Sequence, residues 1–361
     1  MSMTLALIGE TALALEAARM AQEAGLRVSL VITRHAPLRA HAEAQGIATL
    51  PPDRLDELPG GIDWLLSAGN LRPLPGAVLA RFAKGAINFH DGPLPERAGR
   101  NVPVWALLEG ARRHAVTWHL MTAGIDAGDI LVRQGFDIPP GATAQSLNAL
   151  CFAAAIESLA EVFAQMRHGL RPRPQPAGQG RMHRAADRPP ADALIDGRGP
   201  LKAALRLVRA LDHGDRENPL CCPKIAGPQG PVLVGAAALG DDARPNEAPG
   251  TLHAVSEESL DLVFEDGVLR LSGLRRPDGR PCAADTLFAA GDRLPVTQAE
   301  PLTARMARLA GAEPGWRARL EALRPVALAG FATPQATGEG EGESRALSVD
   351  ATPERRIAAL A

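Results

Sequence analysis

The stretch TLALIGETALALEAARMAQEAGLRVSLVIT, residues 4–33, decides how the rest of the chain is read. A short apolar run, TLALIG, gives way to a segment with apolar side chains at helical spacing, and then to a second run, RVSLVIT, rich in β-branched residues. Strand, helix, strand in that order predicts a right-handed crossover between two parallel strands, because parallel neighbours cannot be joined by a tight hairpin. The alternation continues through DWLLSAG, AVLARF and GAINFH, so the first ninety residues predict an α/β fold with an open, largely parallel sheet. No G-x-G-x-x-G follows Gly9. The expected architecture is therefore Rossmann-like without the dinucleotide fingerprint, which argues against a nicotinamide-dependent oxidoreductase.

Farther along, AVTWHLM and DILVRQGFDI predict two more strands around the turn-rich TAGIDAG, and SLNALCFAAAIESLAEVFAQMRHG predicts a helix that stops at Gly169. These boundaries give a catalytic domain over residues 1–170. LRPRPQPAGQGRMHRAADRPP is dense in Pro, Gly and Arg, and reads as a linker over 171–197. A helix, LKAALRLVRALDHG, then leads into alternating runs punctuated by Asp-Gly pairs at 266–267 and 278–279, which predict a small β-rich domain over 198–295. Residues 296–361 read as a helical segment, PLTARMARLAGAEPGWRARLEAL, a linker, TPQATGEGEGES, and a final helical stretch, TPERRIAALA. Resumed periodicity after a linker suggests a domain cut from a longer polypeptide.

Bulk properties narrow the function classes. The 361 residues carry 39 basic and 41 acidic side chains, so no global field draws the protein to a polyanion, and nucleic acid is not favoured. Tyrosine is absent and aromatics are 3% of the chain, leaving few platforms for base stacking. The N-terminal stretch lacks a basic leader and is interrupted by Glu10, Glu16 and Glu23, so neither a signal peptide nor a membrane span is expected. Cys151, Cys221, Cys222 and Cys282 have no metal-binding spacing, which predicts no metal and a reducing, cytoplasmic setting.

The chemistry gathers in INFHDGPLPERAGRNVPVWA, residues 87–106. If GAINFH is a strand, Asn88 and His90 are two apart and share a face at its carboxyl end, where ligands bind in open α/β sheets. Pro93 and Pro95 end the strand, which displays His90 at a rim. A lone histidine there commonly serves only as a structural hydrogen-bonding residue, so a partner is needed. AGIDAGD supplies Asp126 and Asp129 in a glycine-bounded loop, although either could merely cap its own turn. Among the remaining histidines, His119 on VTWHLM is the one expected to lie near the site.

NFH followed by PLP, then Gly99, Pro103 and Trp105, then VTWHLM and IDAGDIL, resembles the signature of the 10-formyltetrahydrofolate-dependent formyltransferases. Members include methionyl-tRNA, glycinamide ribonucleotide and sugar-nucleotide formyltransferases. VRAL and APGTL…EDGVLRL further resemble the small, OB-like carboxyl-terminal β domain of the methionyl-tRNA and amino-sugar members. The resemblance implies catalytic roles for Asn88, His90 and Asp126, with 10-formyltetrahydrofolate as cosubstrate and no metal. It also implies a folate pocket around LSAGNLRPLPG, to which Leu66, Ser67, Leu71, Pro73, Leu74 and Asp129 are assigned, the last as a structural rather than catalytic acid. Where many members have Pro-Ser-Leu-Leu-Pro after the histidine, this chain has Asp91-Gly92-Pro93-Leu94-Pro95, which removes the serine and adds a charge expected to face solvent. The acceptor implied is a primary amine: an aminoacyl group on a carrier protein, as in modules that open nonribosomal peptide synthetases, ahead of an amino-sugar nucleotide or methionyl-tRNA. A non-catalytic folate-binding module is the rival of another class.

Overall fold

A computed structural model describes residues 3–176, 180–216, 218–240 and 246–322. The stretches TPQATGEGEGES and TPERRIAALA lie outside the described residues. Residues 1–313 make one compact unit, and 314–361 are assigned to a second.

The first strands and helices follow the expected alternation: β1 (Thr4–Ile8), α1 (Ala12–Glu23), β2 (Arg27–Ile32), α2 (Ala36–Ala44), β3 (Ala48–Leu50), β4 (Trp64–Ser67), α3 (Gly76–Leu79) and β5 (Gly85–His90). A short β6 (Arg97–Gly99), α4 (Val102–Leu108), β7 (Arg113–Leu120), β8 (Ile130–Asp137) and the long α5 (Ala144–His168) come next. Seven strands form one sheet in the order β3-β2-β1-β4-β5-β7-β8. The first five are parallel, whereas β7 runs antiparallel to both β5 and β8.

Alternation along β1 shows why this sheet is buried on both faces. Leu5 and Leu7 pack with the alanine face of α1 (Ala14, Ala17, Ala18, Ala21) and with Leu159, Val162 and Phe163 of α5. Ala6 and Ile8 point the other way, onto Leu58, Ile62, Leu74 and Phe82. Each such fully buried Leu, Ile or Phe contributes on the order of 2 kcal/mol. Gly9 serves packing rather than phosphate binding, since a Cβ there would lie 2.1 Å from the Ala68 carbonyl oxygen. Helix α5 begins at a reciprocal cap between Thr143 and Ser146 and ends at Gly169, whose φ of 110° suits glycine. It is long and apolar enough to cross a membrane by composition, and its apolarity is used against the sheet.

After α5, β9 (Arg181–His183) precedes α6 (Leu201–Ala210), β10 (Lys224–Gly227), β11 (Gly230–Leu233), β12 (Ala236–Leu239), β13 (Leu252–Val255), β14 (Ser259–Phe264), β15 (Gly267–Ser272) and α7 (Ala299–Ala322). Strands β12 to β15 form an antiparallel sheet in the order β12-β15-β14-β13, with β14 and β15 joined at Glu265-Asp266. Leu201, Leu205 and Val208 of α6 pack onto it at helical spacing. A further cluster joins Val104 and Leu107 of α4, Leu147 of α5, and Ala210 and Leu211, so this β-rich part is seated on the first sheet's helices.

The proline-rich stretch after Gly169 departs from its expected irregularity in two places. Arg173 exchanges backbone hydrogen bonds with Ile130, 2.8 Å each way. Strand β9 pairs in parallel with β6, setting Arg97 opposite Arg181 and Gly99 opposite His183. The prolines fall at 172, 174, 176, 189 and 190, leaving GRMHR free to donate to a ladder.

Candidate active site

The carboxyl end of β5 opens into a cavity of about 540 Å³. Asn88 and His90 line it together, as the period-two alternation of the strand requires, and Asp126 reaches it from the β7–β8 loop. The three residues, 38 positions apart at the extremes, therefore face one cleft.

His90 is 5% exposed, and its Nε2 lies 2.8 Å from the Arg97 carbonyl oxygen. An imidazole nitrogen that donates to a carbonyl leaves the other nitrogen, Nδ1, to act in the cleft. Nδ1 is 3.5 Å from Asp126 Oδ2 and 4.0 Å from Asp91 Oδ1. Asp126 has φ 50°, a left-handed conformation for a non-glycine residue, which costs on the order of 1 kcal/mol and aims its carboxylate inward. Its Oδ2 accepts a 2.8 Å bond from the Gly99 N–H, and its Oδ1 lies 3.5 Å from His119 Nε2. Burial pushes the Asp126 carboxyl up, yet the interactions with His119, His90 and the Gly99 N–H outweigh it and hold the carboxyl below its ordinary range.

His119 completes the arrangement. On the β5–β7 ladder Asn88 sits directly opposite His119, so the two side chains share a face, and Asn88 Nδ2 is 3.2 Å from His119 Nε2. His119 Nδ1 donates to the Leu120 carbonyl oxygen at 2.8 Å, and Nε2 lies between Asn88 Nδ2 at 3.2 Å and Asp126 Oδ1 at 3.5 Å. Asn88 Nδ2 carries two hydrogens, so its contact with His119 leaves one N–H for the cleft.

Asp91 lines the cavity beside His90 and keeps its side chain 37% exposed to solvent. Enclosure pushes its carboxyl above the ordinary range, against the opposing charge of His90. Beneath it, His114 donates from Nε2 to the Asp91 carbonyl oxygen at 2.9 Å, and burial pushes its pKa down to about 4.

Of the residues assigned to the folate pocket, Leu71, Pro73 and Leu74 line the cavity, in the company of Gly69, Asn70 and Arg72. Leu66 and Ser67 do not. They belong to β4, paired between β1 and β5, and are fully buried; the loop that reaches the cleft starts only at Ala68. Asp129 also lies off the cavity, at the start of β8, where its carbonyl oxygen accepts from the Leu120 N–H at 2.9 Å. Among the described residues no group of three His, Cys, Asp or Glu side chains is arranged to hold a metal ion.

One wall was not anticipated. Met182, His183, Arg184 and Ala185, beyond α5, also line the cavity. His183 is fully buried and stacks on Trp105 at 4.8 Å with an interplanar angle of 7°. Gly99 makes the β6–β9 contact possible, since a Cβ there would lie 2.0 Å from the His183 carbonyl oxygen.

Comparison with known proteins agrees with this geometry. Residues 55–162, which include all three cleft residues, match the family described as Formyl transferase. A methionyl-tRNA formyltransferase from Xanthomonas campestris pv. campestris (strain 8004) is 31% identical over 270 residues, 71% of this chain and 84% of that protein. In fold, the chain resembles an N-formyltransferase from Helicobacter canadensis in complex with folinic acid and dTDP-3-aminofucose, with TM-score 0.58, 14% identity, and coverage of 76% of this chain and 100% of that one. It also resembles HypX from Aquifex aeolicus in complex with tetrahydrofolic acid, with TM-score 0.54 and 20% identity, over 77% of this chain and 45% of that one. With Asn88, His90 and Asp126 converging on one cleft inside the matched segment, the chain belongs to the formyl transferase family.

Proposed function

We propose that the protein transfers the formyl group of 10-formyltetrahydrofolate to a primary amine, and that the amine belongs to an aminoacyl group carried on a partner protein. The observation that carries the first half is the cleft geometry: an amide N–H, an imidazole Nδ1 and a carboxylate face one space at the end of β5.

In this reading the folate lies against Leu71, Pro73 and Leu74, and its formyl carbon is presented to Asn88 and His90. Attack by the amine creates a tetrahedral oxyanion. The free N–H of Asn88 donates to that oxygen, as does Nδ1–H when His90 is protonated, and one such donor lowers the barrier by about 3 kcal/mol. Asp126, 3.5 Å from His90, balances the imidazolium and accepts the proton lost by the attacking nitrogen, directly or through water. Collapse of the intermediate expels tetrahydrofolate, which takes up a proton. The four free thiols accord with the cytoplasmic setting proposed for this reaction.

For the acceptor, the net charge of -2 weighs against a tRNA, whose phosphates demand a basic surface. Arg100 and Arg184 at the cavity mouth give a local anion contact suited to the single phosphate of a carrier's prosthetic arm. Methionyl-tRNA is the second reading, favoured by the 31% identity to an enzyme of that name.

The test is tetrahydrofolate release from 10-formyltetrahydrofolate, measured with aminoacyl carrier proteins, amino-sugar nucleotides and charged initiator tRNA as separate acceptors. Release with the carrier pool only, abolished in His90→Ala and Asp126→Asn, is the expected result. Release with another pool reassigns the acceptor, and full activity in both variants removes the proposed site. Folate binding without release from any pool would make the protein a binding module.

A further inference from the structure

The segment after α5 does more than line the cavity. Gln175 extends its side chain over the β7–β8 loop, and its Nε2 lies 2.7 Å from the Asp126 carbonyl oxygen and 2.7 Å from that of Gly128. A primary amide nitrogen has two hydrogens, so this one group satisfies both carbonyls at once. Both carbonyls belong to the turn in which Asp126 adopts the left-handed conformation.

The backbone that presents Gln175 is stiff. It lies between Pro174 and Pro176, which fix their own φ, and Pro176 holds Gln175 extended. One residue before this pair, Arg173 is bonded at both N–H and carbonyl to Ile130, at 2.8 Å each. The same segment returns as β9, which pairs with β6, and β6 supplies the Gly99 N–H to the Asp126 carboxylate at 2.8 Å. The loop is thus held at its main chain by Gln175 and at its side chain by β6.

We infer that Gln175 is a positioning residue for Asp126: its amide fixes the main chain of the loop so that the carboxylate stays between His90 and His119. The inference rests on the catalytic role proposed for Asp126. Its contacts with the two histidines are both 3.5 Å, so a loop displacement of about 1 Å uncouples them, a misplacement that can cost on the order of 100-fold in rate.

Gln175→Met keeps the side-chain length and removes both donors. Expected is a kcat lower by about 10- to 50-fold with KM for 10-formyltetrahydrofolate and acceptor within about twofold, because the lost interaction acts on the reacting geometry rather than on binding. Gln175→Glu, which puts a carboxylate against two carbonyls, should be slower still. The pH profile gives a readout that a merely structural role would not move. Asp126 faces His90, His119 and the carboxylate of Asp91; drawing it away from the histidines raises its pKa, so the acidic limb of kcat moves to higher pH. A carbon-13 NMR titration of the Asp126 carboxyl tests the same shift without any acceptor.

An Asp126 titration and a kcat both unmoved in Gln175→Met would overturn the inference, as would a lowered Tm with turnover per folded molecule unchanged. Asp126→Asn runs alongside. If it is inactive while Gln175→Met matches the parent, only the role of Gln175 falls. Full activity in Asp126→Asn removes the catalytic reading and this inference with it.

Discussion

At the scale of single residues the cleft depends on His119 as much as on the three residues that mark it in the sequence. His119 lies 3.2 Å from the Asn88 amide and so fixes its orientation in the cleft. His119→Leu leaves the amide free to rotate, and kcat should fall by about 10- to 100-fold with little change in folate KM, since an oxyanion donor is misdirected rather than a binding surface lost. His119→Gln, which keeps a polar partner for the amide, should lose less. Steady-state kinetics of the two variants decide this; equal rates for parent and His119→Leu would show that Asn88 is held otherwise. Asn88 and His90 were legible because alternation along a strand is a local rule, and Asp126 because glycines bracket it. Neither the contact of His119 with Asn88 nor the reach of Gln175 obeys a local rule. The first depends on the antiparallel register of β5 and β7 and the second on a return of the chain across 47 and 49 residues.

At the scale of elements, strand β9 is three residues long and has no periodicity to betray it, whereas β1, β2, β4 and β5 announce themselves through apolar runs and α1 and α5 through helical spacing. What makes β9 possible is Gly99, with φ 93° and no room for a side chain against His183. Gly99→Ala should push β6 and β9 apart, destabilise the protein by about 2–3 kcal/mol, and carry the Gly99 N–H away from Asp126. Thermal unfolding should therefore fall by several degrees while single-turnover transfer slows in the molecules that remain folded. A variant that melts lower yet turns over normally would separate the ladder from the chemistry. Leu66 and Ser67 illustrate the opposite error of scale. Assigned to a loop by their neighbourhood in the sequence, they are strand residues, because β4 extends to Ser67 and the chain leaves the sheet two residues later than a pocket at Leu66 would need.

For the whole molecule, the buried histidines make stability depend on pH. His114 has its pKa pushed down to about 4, below its value of 6.5 in an unfolded chain. The unfolded state therefore binds the proton first, and stability present above pH 6.5 is lost as pH falls, until protonation of the folded state near pH 4 ends the loss. A shift of this size corresponds to about 3 kcal/mol, and burial acts in the same direction on His183 and His213. Urea unfolding at pH 7 and pH 4.5 should show His114→Gln losing less stability on acidification than the parent; parallel losses would mean that other groups govern the acid limb. The α/β class, the order of the early elements and the β-rich part after residue 198 were readable from patterning. The seating of that part through α4 and α6 was not, because contacts between helix faces distant in the chain leave no periodic trace.

The strap formed by Arg173, Gln175 and β9 has a consequence for anyone recombining such proteins. A natural place to splice would be the end of α5, where the seven-stranded sheet is complete and Gly169 stops the helix. A chimera joined there would inherit Asn88, His90 and Asp126 but would receive a foreign sequence in place of the residues that tether the carboxylate loop. A junction placed after Ala185 carries the tether along, so the portable unit is defined by its hydrogen bonds rather than by its last helix.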